Sequence, residues 1–318
     1  VVVAGRNEPD FISDKIAAGK IDAMGIGRQF LADPEWVTKM MEGRTSEIRP
    51  CICCHNACFN LSKSEGTSNT QSLHETKAMC QCAVNPESMN SKKYYITKTK
   101  KPKHFAVIGG GVGGMETARV LTLRGHKVTL YEKSNQLGGV FVPASSFEFK
   151  EKDRQLLDWY RKQMQDLNIE VKLNTEVKDI KKLDVDEVII ATGAKPRKLR
   201  VKGAEKAIEA VDYLNNREQV GQNVIIIGGS LTGCEIAYEL YNQGKNPIIV
   251  EMKNDLIATK GVCLANSSYL RDFFKLKKTP VYLNTSVKEI KDDGIVAVDK
   301  NGKEFTIQGD STILCIGY

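Results

Sequence analysis

Two long stretches of this chain share one hydrophobic rhythm. Each has a short apolar run broken by glycines, then an amphipathic segment, then a second apolar run ending in an acid. In HFAVIGGGVGGMETARVLTLRGHKVTLYEK the pattern predicts a strand over Phe105–Ile108, a helix with Ala and Leu on one face, and a strand over Lys127–Tyr131. In NVIIIGGSLTGCEIAYELYNQGKNPIIVEM the same unit recurs between Asn223 and Met252. Glu148–Leu167 is patterned as an amphipathic helix and Glu170–Leu173 as a strand, with a turn at Asn174-Thr175. Further on, Thr285–Val298 and Glu304–Ile307 read as hairpin-like strands, and Thr312–Tyr318 as another strand.

The first 48 residues carry a different arrangement. VVVAGR reads as a buried strand ending in a Gly turn, followed by a helix over about Pro9–Ala18 that Gly19 stops. IDAMGIGR is a second short strand ending in Gly27-Arg28. Asp33 is placed to cap a further helix with Pro34 at its first position, and Gly43 closes it. Strand, helix, strand, helix with short loops is parallel α/β architecture. Two strands ending in Gly-Arg could hold a phosphate through Arg6, Gly27 and Arg28. A plain βα turn gives the same pattern.

Six of the nine cysteines fall between these regions, in RPCICCHNACFN and MCQCAVNP. Cys51, Cys54 and Cys58 have the spacing C-x2-C-x3-C, and Cys82 follows 24 residues after Cys58. Three thiolates on a short loop plus a distant fourth can wrap an iron–sulfur cubane. A tetrahedral zinc staple is the structural competitor, although it favours two facing C-x2-C pairs where this chain has only Cys80-x-Cys82. The intervening Asn60–Gln81 is rich in Ser, Thr, Asn, Lys and Gly and reads as a mobile excursion. His55 and His74 read as exposed loop residues rather than ligands.

The repeated unit is a dinucleotide fingerprint. Gly109 permits a tight turn, Gly111 lets a pyrophosphate approach the backbone, and Gly114 lets helix pack on strand. In the second copy Gly228, Ser230 and Gly233 take these places, with Ser allowing a less free approach. The acids Glu132 and Glu251 follow 23 residues after Gly109 and Gly228, where each can accept ribose hydroxyls. Beyond Glu251, Met252-Lys253-Asn254 lacks an Arg cluster for a 2′-phosphate, which favours NADH over NADPH.

Composition adds limits. The chain has 318 residues, 41% hydrophobic and 27% charged, enough for about two domains. No apolar run approaches the ~18 residues that cross a membrane. The net charge of +7 is not focused, and KTKKPK (Lys98–Lys103) reads as a solvated linker rather than a nucleic-acid patch. Clustered cysteines fit metal-bound thiolates in a reducing cytoplasm. The start inside VVVAG and the end inside a strand read as a piece of a longer protein.

GRNEP, IDAMGIGRQFLADPEW and RPCICC together resemble the last two βα units and the cluster segment of the iron–sulfur flavoenzymes with an old-yellow-enzyme-like barrel. That group includes 2,4-dienoyl-CoA reductase, 2-enoate reductases, bile-acid-type NADH:flavin oxidoreductases and trimethylamine dehydrogenase. The resemblance implies the end of a (β/α)8 barrel over 1–48 and a [4Fe–4S] segment over 49–103. It further implies a Rossmann-like FAD domain over 104–205, a Rossmann-like NAD(H) domain over 206–315, and a return toward the FAD domain from 316, begun by the strand Thr312–Tyr318. It gives Arg6, Gly27 and Arg28 an FMN phosphate. Cys82-Ala-Val-Asn-Pro86 matches the family's fourth-ligand context, leaving Cys53 and Cys80 as spare thiols. Leu137-Gly138-Gly139 and Val188–Gly193 resemble flavin-contact motifs, so Gly139 and Gly193 join the FAD set, with Val177 an adenine neighbour by position; Val140 stands where many relatives have Gln. Glu235 matches a G-x-E pattern near the nicotinamide, or is simply an acid stabilised by a helix N-terminus. The implied enzyme takes electrons from NADH through FAD, the cluster and FMN to an activated C=C bond of an enoate, enone or enoyl-CoA, in a cytoplasmic anaerobe protein without nucleic-acid or membrane partners. An oligomer is compatible with it. An amine dehydrogenase of the same architecture and a zinc-stapled nucleotide-binding module are the alternatives.

Overall fold

The computed structural model describes residues 1–5, 8–59, 80–216, 219–258 and 262–318. Arg6, His74 and residues 60–79 of the polar excursion lie outside them. The chain divides into one unit of Val1–Phe141 with Lys150–Gly193 and another of Val142–Phe149 with Ala194–Tyr318.

In the first unit β1 (Val2–Ala4), α1 (Pro9–Ala17) and β2 (Ala23–Gly25) form a parallel pair with its crossover, Val2 opposite Ala23 and Ala4 opposite Gly25. Pro9 opens α1, where its missing N–H is no loss, and Gly19 ends it at φ +64°. The helix expected to begin at Pro34 under an Asp33 cap starts later: α2 (Arg28–Ala32) ends at Asp33, and α3 (Trp36–Met41) has Glu35 at its N-cap with no side-chain cap bond, after a turn in which Asp33 Oδ1 accepts from Glu35 N at 3.1 Å. A four-residue helix, α4 (Ser91–Tyr94), precedes the linker.

Next come β3 (His104–Ile108), α5 (Val112–Leu123), β4 (Lys127–Tyr131), α6 (Phe141–Ala144), α7 (Glu151–Asp166), β5 (Glu170–Lys172) and β6 (Glu187–Ile190). The strands pair in parallel in the order β5-β4-β3-β6. Ala106, Val107 and Leu130 are fully buried in the central strands, as in a sheet covered on both faces.

The second unit contains β7 (Ile208–Glu209), α8 (Ala210–Asn216), β8 (Asn223–Ile227), α9 (Leu231–Asn242), β9 (Asn246–Val250), α10 (Leu264–Leu276) and β10 (Val281–Tyr282). An antiparallel sheet of β11 (Ser286–Lys291), β12 (Gly294–Val298) and β13 (Glu304–Gln308) follows, then β14 (Ser311–Leu314). The parallel order is β10-β9-β8-β14-β7. The unbroken apolar run NVIII has a direct cause. Val224 and Ile226 pack with Ile236, Leu240 and Phe274 from the helices, whereas Ile225 and Ile227 pack with Ile290, Ile295 and Ile307 from the antiparallel sheet. Both faces of β8 are therefore buried.

Two stretches complete the second unit. Ser311–Leu314 lies in its parallel sheet, in register with Val224–Ile227 and paired also with β7. The stretch after Gly193 also belongs to the second unit, where Leu199 and Val201 pack on the Ile225–Ile290 core.

Candidate functional site

The cysteine segments are held on α2. Gln29 clamps the first, its Nε2 donating to Arg49 O at 2.8 Å and its Oε1 accepting from Cys51 N at 2.9 Å. Asp33 Oδ2 accepts from Arg49 N at 2.8 Å and from Lys39 Nζ at 2.7 Å. The second segment hangs from Leu31 O, which accepts from Asn85 Nδ2 at 2.9 Å and Ser88 Oγ at 2.7 Å. Gln81 N donates to Ala57 O at 2.8 Å and ties the segments together.

Cys51, Cys54, Cys58 and Cys82 thereby line one small cavity, with Cys53, His55 and Arg28; Cys80 does not line it. Cys53 and His55 adopt the left-handed region at φ +57° and +58°, a conformation costing of order 1 kcal/mol each. The bends turn backbone N–H groups onto sulfur: Cys53 toward Cys51, Asn56 toward Cys54, and Val84 and Asn85 toward Cys82. The Cys53 thiol and burial push the Cys51 pKa up, and burial raises those of Cys54 and Cys82 against the opposing N–H groups. These groups thus become thiolates when a metal displaces the proton, and the N–H groups are already aimed at the resulting charge.

This donor set fits an iron–sulfur cluster: soft thiolates from two segments with hydrogen bonds to sulfur. Among the described residues no group of three His, Cys, Asp or Glu side chains is preformed around a metal ion.

Beside it lies a larger cavity of about 730 Å³, lined by Gly5, Gly25, Gly27, Arg28, Lys152 and Trp159 among others. Arg28, Cys51 and Cys53 line both cavities. Arg28 Nη1 is hydrogen-bonded to His55 Nε2, so its side chain is shared with the cysteine loop rather than committed to a phosphate.

Sequence reasoning missed the residues behind this loop. Arg49 Nη1 donates to Val84 O at 2.9 Å, and its guanidinium lies 4.9 Å from the Trp159 ring centre. Arg119 lies 5.5 Å from the same ring and is held by both oxygens of Glu116 at 2.8 and 2.9 Å. Trp159 Nε1 donates to Glu47 O at 2.9 Å. Burial and the nearby Arg119 pull the Arg49 pKa below the ordinary guanidinium value. The available signal was the Arg next to Pro50-Cys51; its partners on α5 and α7 are far away in sequence.

The two fingerprints are geometrically alike. Gly109 and Gly228 both sit at φ +108°, and a Cβ on either would lie 2.4 Å from a carbonyl oxygen, of Ala191 and Cys315 respectively. A Cβ on Gly114 or Gly233 would lie 1.8 or 2.0 Å from the oxygen of Gly109 or Gly228. Glu132 Oε2 accepts from Gly110 N at 2.6 Å, and Glu251 Oε2 accepts from Gly229 N at 2.6 Å. Each acid's second oxygen takes a turn N–H, from Ser134 or Lys253, at 2.8 Å. Burial acts to raise the Glu132 pKa, but the N–H groups of Ser134 and Gly110 outweigh it and hold it below the ordinary value.

Ser230 caps α9, accepting from Gly233 N at 3.5 Å. Gly139, at φ +53°, packs over Gly111, with Gly138 N donating to Gly110 O at 2.8 Å. Asn174 N and Thr175 N bond to Ser134 O and Glu132 O, which brings the Val177 segment beside the acid; Gly193 follows β6 at φ +71°. Glu235 lies in the first turns of α9. Its neighbour Cys234 is fully buried and its pKa is pushed up to about 12 by burial, so that thiol is inert.

The family model "Pyridine nucleotide-disulphide oxidoreductase" matches residues 85–185 and 179–318. The chain belongs to that family. Over its whole length it is 41% identical to a protein named cinnamate reductase from Clostridium sporogenes, covering 46% of that protein. It is 35% identical over its whole length to an NADH oxidase from Thermoanaerobacter brockii, covering 48% of it. A structure of 2-naphthoyl-CoA reductase superposes on 99% of this chain with TM-score 0.88 at 30% identity, and 47% of that chain is matched. The chain spans about half the length of the curated relatives it matches. The resemblance read from the motifs is thus met along the whole chain by relatives, and both fingerprints lie inside the family match. Among the described residues no helix is long and apolar enough to cross a membrane.

Proposed function

We propose that this chain is the electron-entry part of an NADH-dependent flavin and iron–sulfur oxidoreductase that reduces an activated C=C bond of an enoate, enone or enoyl-CoA. The observation that carries the reading is the wall of Arg28, Cys51 and Cys53 shared by the four-cysteine cavity and the larger cavity. Bound, the cofactors supply hydride uptake at FAD, single-electron passage through a [4Fe–4S] cluster, and delivery to the substrate from FMN.

The chain's residues do the rest. Gly109, Gly111 and Gly114 open the first loop to the FAD pyrophosphate; Glu132 fixes that loop and meets the ribose; Gly139, Val177 and Gly193 border the same site. Gly228, Ser230, Gly233 and Glu251 do the same for NADH, with Glu235 toward the nicotinamide. The Glu251 carboxylate repels a 2′-phosphate, which favours NADH over NADPH. Cys51, Cys54, Cys58 and Cys82 hold the cluster, and the N–H groups on their sulfurs stabilise its charge. Gly27 and Arg28, with Arg6, border the FMN phosphate at the end of a barrel whose last units are β1 to α3.

The amine-dehydrogenase alternative is disfavoured because the relatives at 41% and 35% identity over the entire chain carry reductase and oxidase names, whereas the amine-oxidising structures that also span it are 23% and 22% identical. The zinc alternative is disfavoured by the distal Cys80-x-Cys82, where a zinc staple favours a second C-x2-C pair.

In full-length enzyme purified without oxygen, Cys54→Ser is expected to abolish NADH-driven enoate reduction while NADH still reduces a soluble dye through FAD. Equal loss of both activities, or zinc without iron and acid-labile sulfide in the unmutated protein, would refute the relay.

A further inference from the structure

Arg49 is a half-buried cation without a carboxylate partner. Its Nη1 bonds to a carbonyl, Val84 O, and its Nε is buried with no hydrogen-bond partner. The guanidinium forms no ion pair among the described residues: the nearest acids are committed elsewhere, Glu116 to Arg119 and Asp33 to Lys39. Trp159 covers it at 4.9 Å, keeping water and counter-ions from that face. An unpaired charge taken out of water is strongly unfavourable, so such an arginine implies an anion that completes it.

The cysteine loop supplies that anion. Val84, whose carbonyl Arg49 holds, is the residue whose N–H points at Cys82 sulfur. Arg49 is also two residues before Cys51 and is anchored through its own N–H to Asp33 and its own carbonyl to Gln29. Four thiolates around an iron–sulfur core leave a net negative charge, which grows by one when the cluster takes an electron. A fixed, half-buried cation beside it favours the reduced form.

We infer that Arg49, clamped between Val84 and Trp159, is the built-in counter-charge of the four-cysteine site and sets the ease with which its cluster is reduced. The inference rests on the cluster reading above. Arg49 acts through the field at the cluster and is a positioning residue that takes no part in bond making. Arg119 shares the Trp159 ring but is neutralised by Glu116, so its charge contributes far less.

The test uses full-length enzyme purified anaerobically, with iron and acid-labile sulfide measured first and the cluster midpoint potential then titrated by electron paramagnetic resonance. R49M and R49Q remove the charge, R49Q keeping a donor for Val84 O; R49K keeps the charge; R119M is the control. The expected result is at least a tenfold weaker reduction equilibrium in R49M and R49Q, which is 59 mV for one electron. R49K and R119M should stay near the unmutated value. If both neutral variants shed the cluster while R49K retains it, the charge requirement is still demonstrated. Neutral variants that keep the cluster at the unmutated potential would overturn the inference, and so would loss of the cluster from R49K, which marks a purely structural staple. Unmutated enzyme without iron and sulfide would overturn the cluster reading itself, a different result from either.

Discussion

Adjacent glycines in the first fingerprint should respond oppositely to the same substitution. At Gly114 a Cβ would stand 1.8 Å from Gly109 O and 3.0 Å from Gly109 C. Non-bonded heavy atoms settle near 3.5 Å, so α5 would have to withdraw from the glycine turn by about 1.7 Å. Overpacking of this kind costs about 1–3 kcal/mol, which is a fall in melting temperature of roughly 2–12 °C for a domain of this size. The same withdrawal takes the helix N-terminus away from the place proposed for the pyrophosphate, so flavin content should fall as well. At Gly113 nothing lies within 4 Å of a Cβ and the backbone is helical. There Ala should stabilise by about 0.5–1 kcal/mol, because it restricts the unfolded chain. Thermal melts and flavin absorbance of full-length G114A and G113A, purified side by side, measure both effects. G114A with unchanged flavin content and melting temperature, or G113A as damaging as G114A, would refute the packing argument.

Two further outcomes follow from the acids and caps. Glu132 has its pKa lowered in the folded state, so it contributes stability above the unfolded value of about 4.3, and that contribution is lost as pH falls through the folded value. Glu132→Gln should cost about 1.5–3 kcal/mol at neutral pH, the range for hydrogen bonds to a charged group, and should flatten the stability profile below about pH 4.3. Urea midpoints at pH 7 and pH 4 decide it, and an unchanged slope would contradict it. Ser230→Ala should cost about 0.5 kcal/mol, the low end for a lost helix cap, because its bond to Gly233 N is long at 3.5 Å. Ser230→Gly should cost only a few tenths and leave KM for NADH unchanged or lower; a large rise in KM would show that the hydroxyl binds the nucleotide directly.

The readable parts of the sequence were those governed by local rules. Gly109 and Gly228 were identifiable because the tight turn needs φ +108° and leaves 2.4 Å for a Cβ, which only glycine satisfies. The paired acids were readable because a fixed offset places both at the end of the strand next to the glycine loop. Asp33 was expected to cap the next helix, whereas α3 starts at Trp36 without a side-chain cap and Asp33 anchors Arg49 N, a bond that crosses 16 residues. The pairing of Ser311–Leu314 was not legible because an apolar strand shows its burial and not its partners; register with Val224–Ile227 places it.

By itself, then, the sequence determined the two strand–glycine turn–helix–strand units, their glycines and acids, and the set of cysteines, because strand period, turn geometry and thiol chemistry are properties of short segments. Tertiary structure decided what surrounds the thiols. It set Gln29, Leu31 and Asp33 as the platform, made Arg28, Cys51 and Cys53 a shared wall, and stacked Arg49 on a tryptophan more than 100 residues away in the chain. Electrostatic environment depends on which distant groups are packed together and which water is excluded, and no local pattern carries that information.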